Sequence, residues 1–517
     1  TRWSRTGDYA GKAFTLWCIA GVATGGAAGT FEGTSQPQSE VLRVLTIGVV
    51  RGISYGLFGP PEDFGAAARD LNARLIRAYV YWHQVEPTPG EYDWTVVDRL
   101  LAQVEGWGRL WLTVCSSSPW ATRTATTFLP PSPPLDPAAY GRFVAALVER
   151  ARQHVEYWQC ENEPSNTGLL WAGSAEEYAS LLGTFAAAVR AVPGAGHVVL
   201  GGIGYDVLAT EAGSEQWEFF DTVCGTAPDA FDLADVHLYD DPRRIAAHVA
   251  AVRELLARNA CDQPLVVGEL GGPTILGFPE AEHALQTAML SALSGPDGPG
   301  TEAPDRRAMR ALYDRLDELP PELQQFLDGS PPDVASRRDR IACREVVTRT
   351  LLALAEGVSL ACWWDLAPEV PGYSDPYNML GLVSARLALL DFQGDPPELV
   401  DAQPAAATFR MLAAALRGAI AVERITLGDR GDVHAFTVVF PDGSDKAVQV
   451  LWRDAGPFEG DEDAREAFEW QWVHDGLHVA NAFAQAVPVP AWNHGRLAVP
   501  LTATPILLSS TPLVTVG

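Results

Sequence analysis

Two glutamates carry the chemistry that this sequence can do. Glu163 lies just past the apolar run Val155-Glu156-Tyr157-Trp158-Gln159-Cys160, in Glu161-Asn162-Glu163-Pro164. Glu269 ends the run Pro264-Leu265-Val266-Val267-Gly268, which Gly271-Gly272-Pro273 then breaks. Both places read as buried strands that stop on a carboxylate. A lone strand-end glutamate is usually a solvated charge or half of an ion pair. Two of them, at the carboxyl ends of two buried strands, are what displacement with retention at a glycosidic carbon needs: one acid that protonates the leaving oxygen and one carboxylate that attacks the sugar. Repulsion between neighbouring carboxylates favours that split, with one group protonated and the other ionised. Their expected separation is ~5 Å.

Eight segments could position them. Candidate strands are Val44–Ile53, Leu75–Trp82, Leu110–Cys115, Val155–Cys160, His197–Ile203, Leu233–Leu238, Leu265–Glu269 and Val358–Trp364. Most are continuous apolar runs, as expected of parallel strands covered on both faces. Between them lie stretches of helical period, among them Trp94–Val104, Ala138–Arg152, Ala175–Val192 and Ile245–Arg258, and Ser174 with Glu177 forms a capping box ahead of one. Eight strands alternating with helices predict an α/β fold, a (β/α)8 TIM barrel over residues 42–418. If Glu163 ends the fourth strand and Glu269 the seventh, three βα units fill the 106 residues between them. That is about 35 each, against ~30 in a typical barrel, and both carboxylates fall on the carboxyl-terminal rim. An open doubly wound sheet would need a Gly-rich phosphate turn after its first strand. Gly201-Gly202-Ile203-Gly204 follows the fifth strand and lacks that spacing.

Residues 294–340 read as a Pro-, Gly- and charge-rich insertion before the eighth strand, with one helical stretch over Asp305–Leu319. A solvated surface excursion is the expected form, and a wall or lid over the cleft the alternative. Beyond Gly418 the pattern shortens to alternating segments, Val433–Phe440, Ala447–Trp452, Leu497–Leu501 and Pro505–Leu508, with turns at Pro441-Asp442-Gly443 and Asn493-His494-Gly495. Residues 419–517 therefore read as a small C-terminal all-β, sandwich-like domain.

Composition narrows the partners. The 517 residues carry 37 basic and 65 acidic side chains, a net charge of −28 that repels nucleic acid and anionic membrane surfaces. A neutral sugar chain meets no such barrier. Seven cysteines, at 18, 115, 160, 224, 261, 343 and 362, form no CxxC pair and stand near no histidine at metal-ligand spacing, so neither a disulfide framework nor a metal site is expected. No organic cofactor is required. Residues 1–41 form an N-terminal segment in which Arg2, Arg5 and Lys12 precede an uncharged stretch ending in Ala27-Ala28-Gly29. A secretory signal and an added strand both fit it, so the compartment stays open. No other stretch is long and apolar enough to span a bilayer. Oligomeric state is not readable.

Four motifs in order carry a family resemblance: Trp82-His83-Gln84-Val85-Glu86-Pro87 running to Trp94, Glu161-Asn162-Glu163-Pro164, Asp235-Val236-His237-Leu238-Tyr239, and Gly268-Glu269-Leu270-Gly271. Together they resemble the retaining glycoside hydrolases of clan A. The chain is similar to family 39 in Asn166–Trp171 and to family 5 in Gly268–Gly272. The resemblance spans residues 45 to about 418, and the C-terminal segment is similar to the accessory sandwich of family 39. It implies that Glu163 is the acid/base, Glu269 the nucleophile, and Asn162 the partner of the sugar 2-hydroxyl. His237 and Tyr239, two apart on one strand, would flank the carboxylates on the same side. Arg77, a charge inside an apolar strand, needs a partner, and Glu269 is the expected one.

Of Trp363 and Trp364, one should face the cleft and one the helix layer, because neighbours on a strand alternate. Trp82, His83, Trp120 and Trp171 are candidates for sugar-stacking walls or for ordinary packing. The expected substrate is a glycoside, oligosaccharide or polysaccharide. Transfer to a sugar acceptor and non-catalytic glycan binding are the alternatives, and the second would be marked by loss of a glutamate or of Asn162. All three are present.

Overall fold

The computed structural model describes residues 44–275 except 58, 304–327, 329–368, 387–393, 398–400, 403–428, 430–456, 467–490, 492–493 and 495–516, with a few single positions between them. The N-terminal segment 1–41 and the start of the insertion lie outside the described residues. Eight parallel strands form one sheet: β1 Thr46–Gly52, β2 Leu75–Tyr81, β3 Arg109–Cys115, β4 Val155–Cys160, β5 His197–Val199, β6 Ala234–Leu238, β7 Leu265–Leu270 and β8 Leu360–Trp363. Their order is β5-β4-β3-β2-β1-β8-β7-β6. The ring closes through parallel bridges at Val199–Leu233 and Ile203–Val236, and His237 N donates to Ile203 O at 3.0 Å.

The fifth strand is shorter than the apolar run His197–Ile203 suggested. Gly201 and Gly202 interrupt it, and its last residues only bridge to the next strand. The other seven lie within two residues of their expected ends.

Alternation along the strands sorts side chains between two cores. On β2, Leu75, Tyr79 and Tyr81 point into the barrel with Val50, Trp111, Tyr157 and Trp364, whereas Ile76, Ala78 and Val80 join the layer under the helices. Fully burying such a side chain contributes roughly 1.5–3 kcal/mol. Helices at Thr95–Val104, Pro137–Ala151, Ala175–Arg190 and Ile245–Arg258 cover the outside. Ser174 accepts from the Glu177 backbone and the Glu177 carboxylate from the Ser174 N–H, so the expected capping box is made.

The described part of the insertion, residues 304–327 and 329–340, differs from a purely solvated excursion. Helix Pro304–Tyr313 and helix Pro321–Gln324 bring Met309, Leu312, Leu323 and Phe326 onto Ile275, Ala281 and Leu285 in a small core of their own. Ile275 lies six residues past Glu269. Residues 332–340 are the opening turns of a 24-residue helix, Pro332–Ala355, whose second half is buried. Helical periodicity is hidden in that half because polar and charged side chains are buried along with the apolar ones, among them the Glu345–Arg349 ion pair.

Beyond the barrel, a five-stranded antiparallel sheet runs β11 Ala421–Arg424, β12 Val433–Val439, β13 Val448–Arg453, β18 Ile506–Ser509 and β15 His478–Asn481. A second sheet holds β14 Phe468–Gln471, β17 Arg496–Val499 and β16 Trp492–Asn493, and a short hairpin pairs β9 Asp391–Gln393 with β10 Glu398–Val400. Val433, Ala435, Leu451 and Ile506 pack against Trp470, Leu497 and Val499 of the second sheet. The opposite face, with Phe436, Val438, Val450 and Trp452, joins the core under the barrel helices.

Candidate active site

The carboxyl ends of β2, β4, β6 and β7 meet around one buried arginine. Arg77 sits mid-strand on β2 with no exposed surface. Its Nη1 donates to Glu269 Oε1 at 2.5 Å, its Nη2 to Asn162 Oδ1 at 2.8 Å, and Nη2 and Nε reach Gln159 Oε1 at 2.8 and 3.1 Å. The guanidinium also lies over the Tyr79 and Trp111 rings, 4.9 and 5.4 Å from their centroids. A charge this deep persists only with such partners. The expected Arg77–Glu269 pair is present.

Glu269 is held from four directions. Arg77 and the Tyr79 hydroxyl, at 2.9 Å, bond Oε1, the Tyr239 hydroxyl donates to Oε2 at 2.6 Å, and His237 Nδ1 stands 3.4 Å from Oε2. Burial raises the pKa of this carboxyl, but the His237 and Arg77 charges and the Tyr239 hydrogen bond outweigh it and leave it below the ordinary carboxylate range. The ionised form is the one a nucleophile needs.

Glu163 lies three residues past β4, where the backbone bends sharply. Glu161 and Glu163 have φ of +60° and +41°, a region that costs a non-glycine residue roughly 1–3 kcal/mol. The bend brings Glu163 Oε1 to 2.6 Å from His237 Nδ1 and leaves its side chain 15% exposed. His237 Nε2 meets Asp235 Oδ2 at 3.0 Å. Burial disfavours a charge on this ring, but the Glu269 and Asp235 carboxylates outweigh it and push its pKa up to about 10. The ring is an imidazolium donating on both sides. Asp235 also accepts from Gln159 Nε2 at 2.7 Å and from the Gly268 N–H at 2.5 Å.

Oxygens of Glu163 and Glu269 and a nitrogen of His237 lie within 4.8 Å of one another. The His237 ring stands between the two glutamates, its pKa raised chiefly by the Glu269 and Asp235 carboxylates against burial. The cluster is arranged to hold protons.

The structure therefore gathers Glu163, Glu269, Asn162, His237, Tyr239 and Arg77. The tryptophans divide. Trp364 joins the inner barrel cluster with Tyr79, Tyr81 and Tyr239, whereas Trp363 packs in the helix layer and donates Nε1 to Leu387 O at 3.0 Å. His83, half-buried, places its ring 6.4 Å from that of Tyr81, and burial lowers its pKa. Trp82 and Trp171 are not sugar platforms. Trp82 is fully buried, stacked on Phe143 at 5.3 Å with Nε1 on Glu86 Oε2 at 2.7 Å. Trp171 is equally buried, edge-on to Tyr178 with Nε1 on Ser174 O at 3.2 Å. Trp120 packs edge-on against Trp82 and donates to Glu86 O at 2.9 Å, half-buried against the helix layer.

Tyr79, Gln159, Glu161, Asp206 and Asp235 belong to the site or its support without having been singled out. For Tyr79 and Asp235 the signal was parity, since each lies two residues from Arg77 or His237 on the same strand. Gln159 was a polar residue in an apolar run. Glu161 and Asp206 depend on loop geometry that no spacing discloses.

No family model matches the chain, and no curated protein matches it. Solved structures do. A family 39 glycoside hydrolase from the gut symbiont Bacteroides cellulosilyticus WH2 superposes with a TM-score of 0.55 at 14% identity over 91% of this chain and 81% of that one. A monomeric β-xylosidase from Caulobacter crescentus CB15 gives 0.53 at 14% identity over 93% and 98%. A family 51 α-L-arabinofuranosidase from Bifidobacterium longum gives 0.53 at 12% identity over 92% and 98%. At these identities the likeness is one of fold, a barrel followed by β-sheets, and it covers nearly the whole chain.

Proposed function

We propose that the protein is a retaining glycoside hydrolase acting on β-glycosidic bonds, with Glu269 as nucleophile and Glu163 as acid/base. The observation that carries this reading is the closeness of the two carboxylates, with oxygens within 4.8 Å. Retaining enzymes hold the two carboxyl groups ~5–5.5 Å apart, and so close an approach of one oxygen from each supports that spacing. Glu269, ionised and braced by Arg77, Tyr79 and Tyr239, attacks the anomeric carbon and forms a glycosyl ester. Because Glu163 Oε1 is engaged by His237, the acid proton belongs on Oε2, from which it passes to the leaving oxygen. Water then enters, Glu163 takes its proton, and the ester is hydrolysed with the original configuration restored. Asn162, its Oδ1 fixed by Arg77, presents its amide to the 2-hydroxyl. The solved structures of similar fold include enzymes named for xylosides, arabinofuranosides and glucosides, so the sugar is sought among these.

The test is a panel of aryl β-xylosides and β-glucosides, with an aryl α-L-arabinofuranoside to challenge the β preference, followed by NMR. The expected outcome is turnover with net retention, covalent labelling of Glu269 by a slow-turnover fluorosugar, and loss of activity by several orders of magnitude in Glu269→Ala. Inverted product, or labelling elsewhere with Glu269→Ala active, overturns it. Transfer to added sugar in place of water would make the same site a transglycosidase, and binding without turnover would leave a glycan-binding barrel.

A further inference from the structure

The run Gly201-Gly202-Ile203-Gly204 lacks phosphate-turn spacing, yet each of its glycines stands where a side chain would collide with the site. A Cβ on Gly201 would come within 2.6 Å of the Tyr178 hydroxyl, and one on Gly202 would overlap the His237 ring. On Gly204 it would lie 2.5 Å from Glu163 Cδ, 2.6 Å from Glu163 Oε1 and 2.8 Å from Asp206 Oδ1. Two carboxyl groups therefore stand where a side chain on residue 204 would begin. Asp206 Oδ2 accepts from Ser165 Oγ at 2.8 Å, while Oδ1 is buried and has no hydrogen-bond partner among the described residues. A bare, buried carboxylate oxygen beside a second carboxyl is costly, and a proton relieves both costs.

We propose that Asp206 is a positioning residue that shares one proton with Glu163 across Gly204 and so keeps the acid of the reaction supplied. The proposal rests on the glycosidase reading above. The groups facing the pair make the need explicit. From β6 the His237 imidazolium donates to Glu163, with Asp235 behind it and Tyr239 beside it. Glu269 faces it from β7, Arg77 and Tyr79 support Glu269 from β2, and Tyr205 precedes Asp206 on its own turn. The His237 ring engages Glu163 Oε1 on one side, and the Asp206 carboxyl approaches the same carboxyl at Gly204. Burial, and then the Glu163 charge, push the Asp206 carboxyl up to about 7, with the Ser165 and backbone hydrogen bonds offsetting part of this, and in the shared pair Asp206 is the resting holder of the proton. It moves to Glu163 as substrate binds and on to the leaving oxygen as the C–O bond breaks. In the second step Glu163 takes a proton from water and Asp206 recovers it. Proton count is conserved over the cycle.

Asp206→Asn removes the proton and the charge together. The alkaline limb of kcat/KM for a substrate with a poor leaving group should move down by about one pH unit, with a roughly 10–100-fold loss at neutral pH, while deglycosylation of activated aryl glycosides is spared. Ser165→Ala removes the donor that favours ionised Asp206, and the same limb should move up. In substrate-free protein, infrared difference spectra of wild type against Asp206→Asn should isolate a protonated carboxyl band that titrates near neutrality, and in Ser165→Ala the band should persist to higher pH. Limbs unmoved in both variants, or identical infrared titrations of wild type and Asp206→Asn, overturn the proposal. If the wild type hydrolyses no aryl glycoside, the glycosidase reading fails by itself and the infrared comparison still decides whether the proton is shared. Should Asp206→Asn not fold, Ser165→Ala decides alone by the sign of its shift.

Discussion

Glu161 and Glu163 stand two residues apart on the same bent strand end, and their surroundings give them different uses. Glu163 is partly exposed beside an imidazolium, whereas Glu161 is fully buried, with Oε1 on the Ser116 N–H at 2.8 Å and Oε2 unpartnered among the described residues. If Glu163 is the acid/base, Glu163→Ala should slow substrates with poor leaving groups by several orders of magnitude, while activated aryl glycosides stall at deglycosylation and are rescued by azide. Uniform slowing without rescue would assign the role elsewhere. Glu161 predicts a stability effect. Burial pushes its carboxyl up to about 7, with the Ser116 hydrogen bonds only partly offsetting this. A carboxyl raised above its unfolded value binds more protons in the native state, so its contribution is full below the unfolded pKa and is lost as pH rises through the folded one. Wild type should lose on the order of 3 kcal/mol relative to Glu161→Gln between pH 4.5 and 7. Denaturant melts across that window check this, and a flat difference would mean that Glu161 does not titrate there. At this scale the sequence exposed residues whose type conflicts with their run, such as Arg77 in an apolar strand. It did not expose Asp206, which meets Glu163 only through the path of a loop.

Strand parity explains both what was readable and what was misread. Arg77, Tyr79 and Tyr81 face inward, so Trp82, the next residue, must face the helices, and it does so between Phe143 and Tyr140. Parity applied from Arg77 would have removed Trp82 from the candidate walls. Trp171 lies in a loop, where no period constrains direction. The motif beginning at Trp82 is scaffold: Glu86 accepts from Trp82 Nε1 and from the Gly90 N–H at 2.7 Å each, and Gln84 Oε1 accepts from the Tyr81 N–H at 2.9 Å. Strands β14 and β15 escaped notice because Phe468–Gln471 and His478–Asn481 are too short to establish alternation. The short β5 makes its own prediction. Gly202→Ala would drive a methyl into the His237 ring and break its bonds to Glu163 and Asp235. Overpacking of this kind costs typically ~1–3 kcal/mol, so the fold should survive while kcat/KM falls at least ~100-fold. A variant with near-native kcat/KM would show that the ring can shift without consequence.

Across the whole molecule, the five-stranded sheet has no free face. One side packs on β14 and β17, and the other lies against helix Pro404–Ala415 and its neighbours, where the Thr408 hydroxyl bonds Ala482 O. The two ends of the barrel segment are tied together, since the Leu45 N–H ahead of β1 donates to Ala419 O at 2.8 Å, and the Ile420 N–H joins it to the sheet at Val439 O, also 2.8 Å. The division expected at residue 418 follows a real change of pattern, from parallel strands with helices to antiparallel strands. A change of pattern does not measure the apolar surface shared across it, because the same alternation suits a sheet facing water and one facing a helix. Here Phe409 and Leu412 lie in the same core as Phe436, Val450 and Trp452. Removing residues 419–517 would uncover that surface, so the truncated barrel should aggregate or lose thermal stability by more than ~10 °C. The intact chain should unfold in one calorimetric transition, with calorimetric and van't Hoff enthalpies in agreement. Two resolved transitions, or a truncated barrel that keeps both its solubility and its midpoint, would establish that the barrel and the sheets are stable separately.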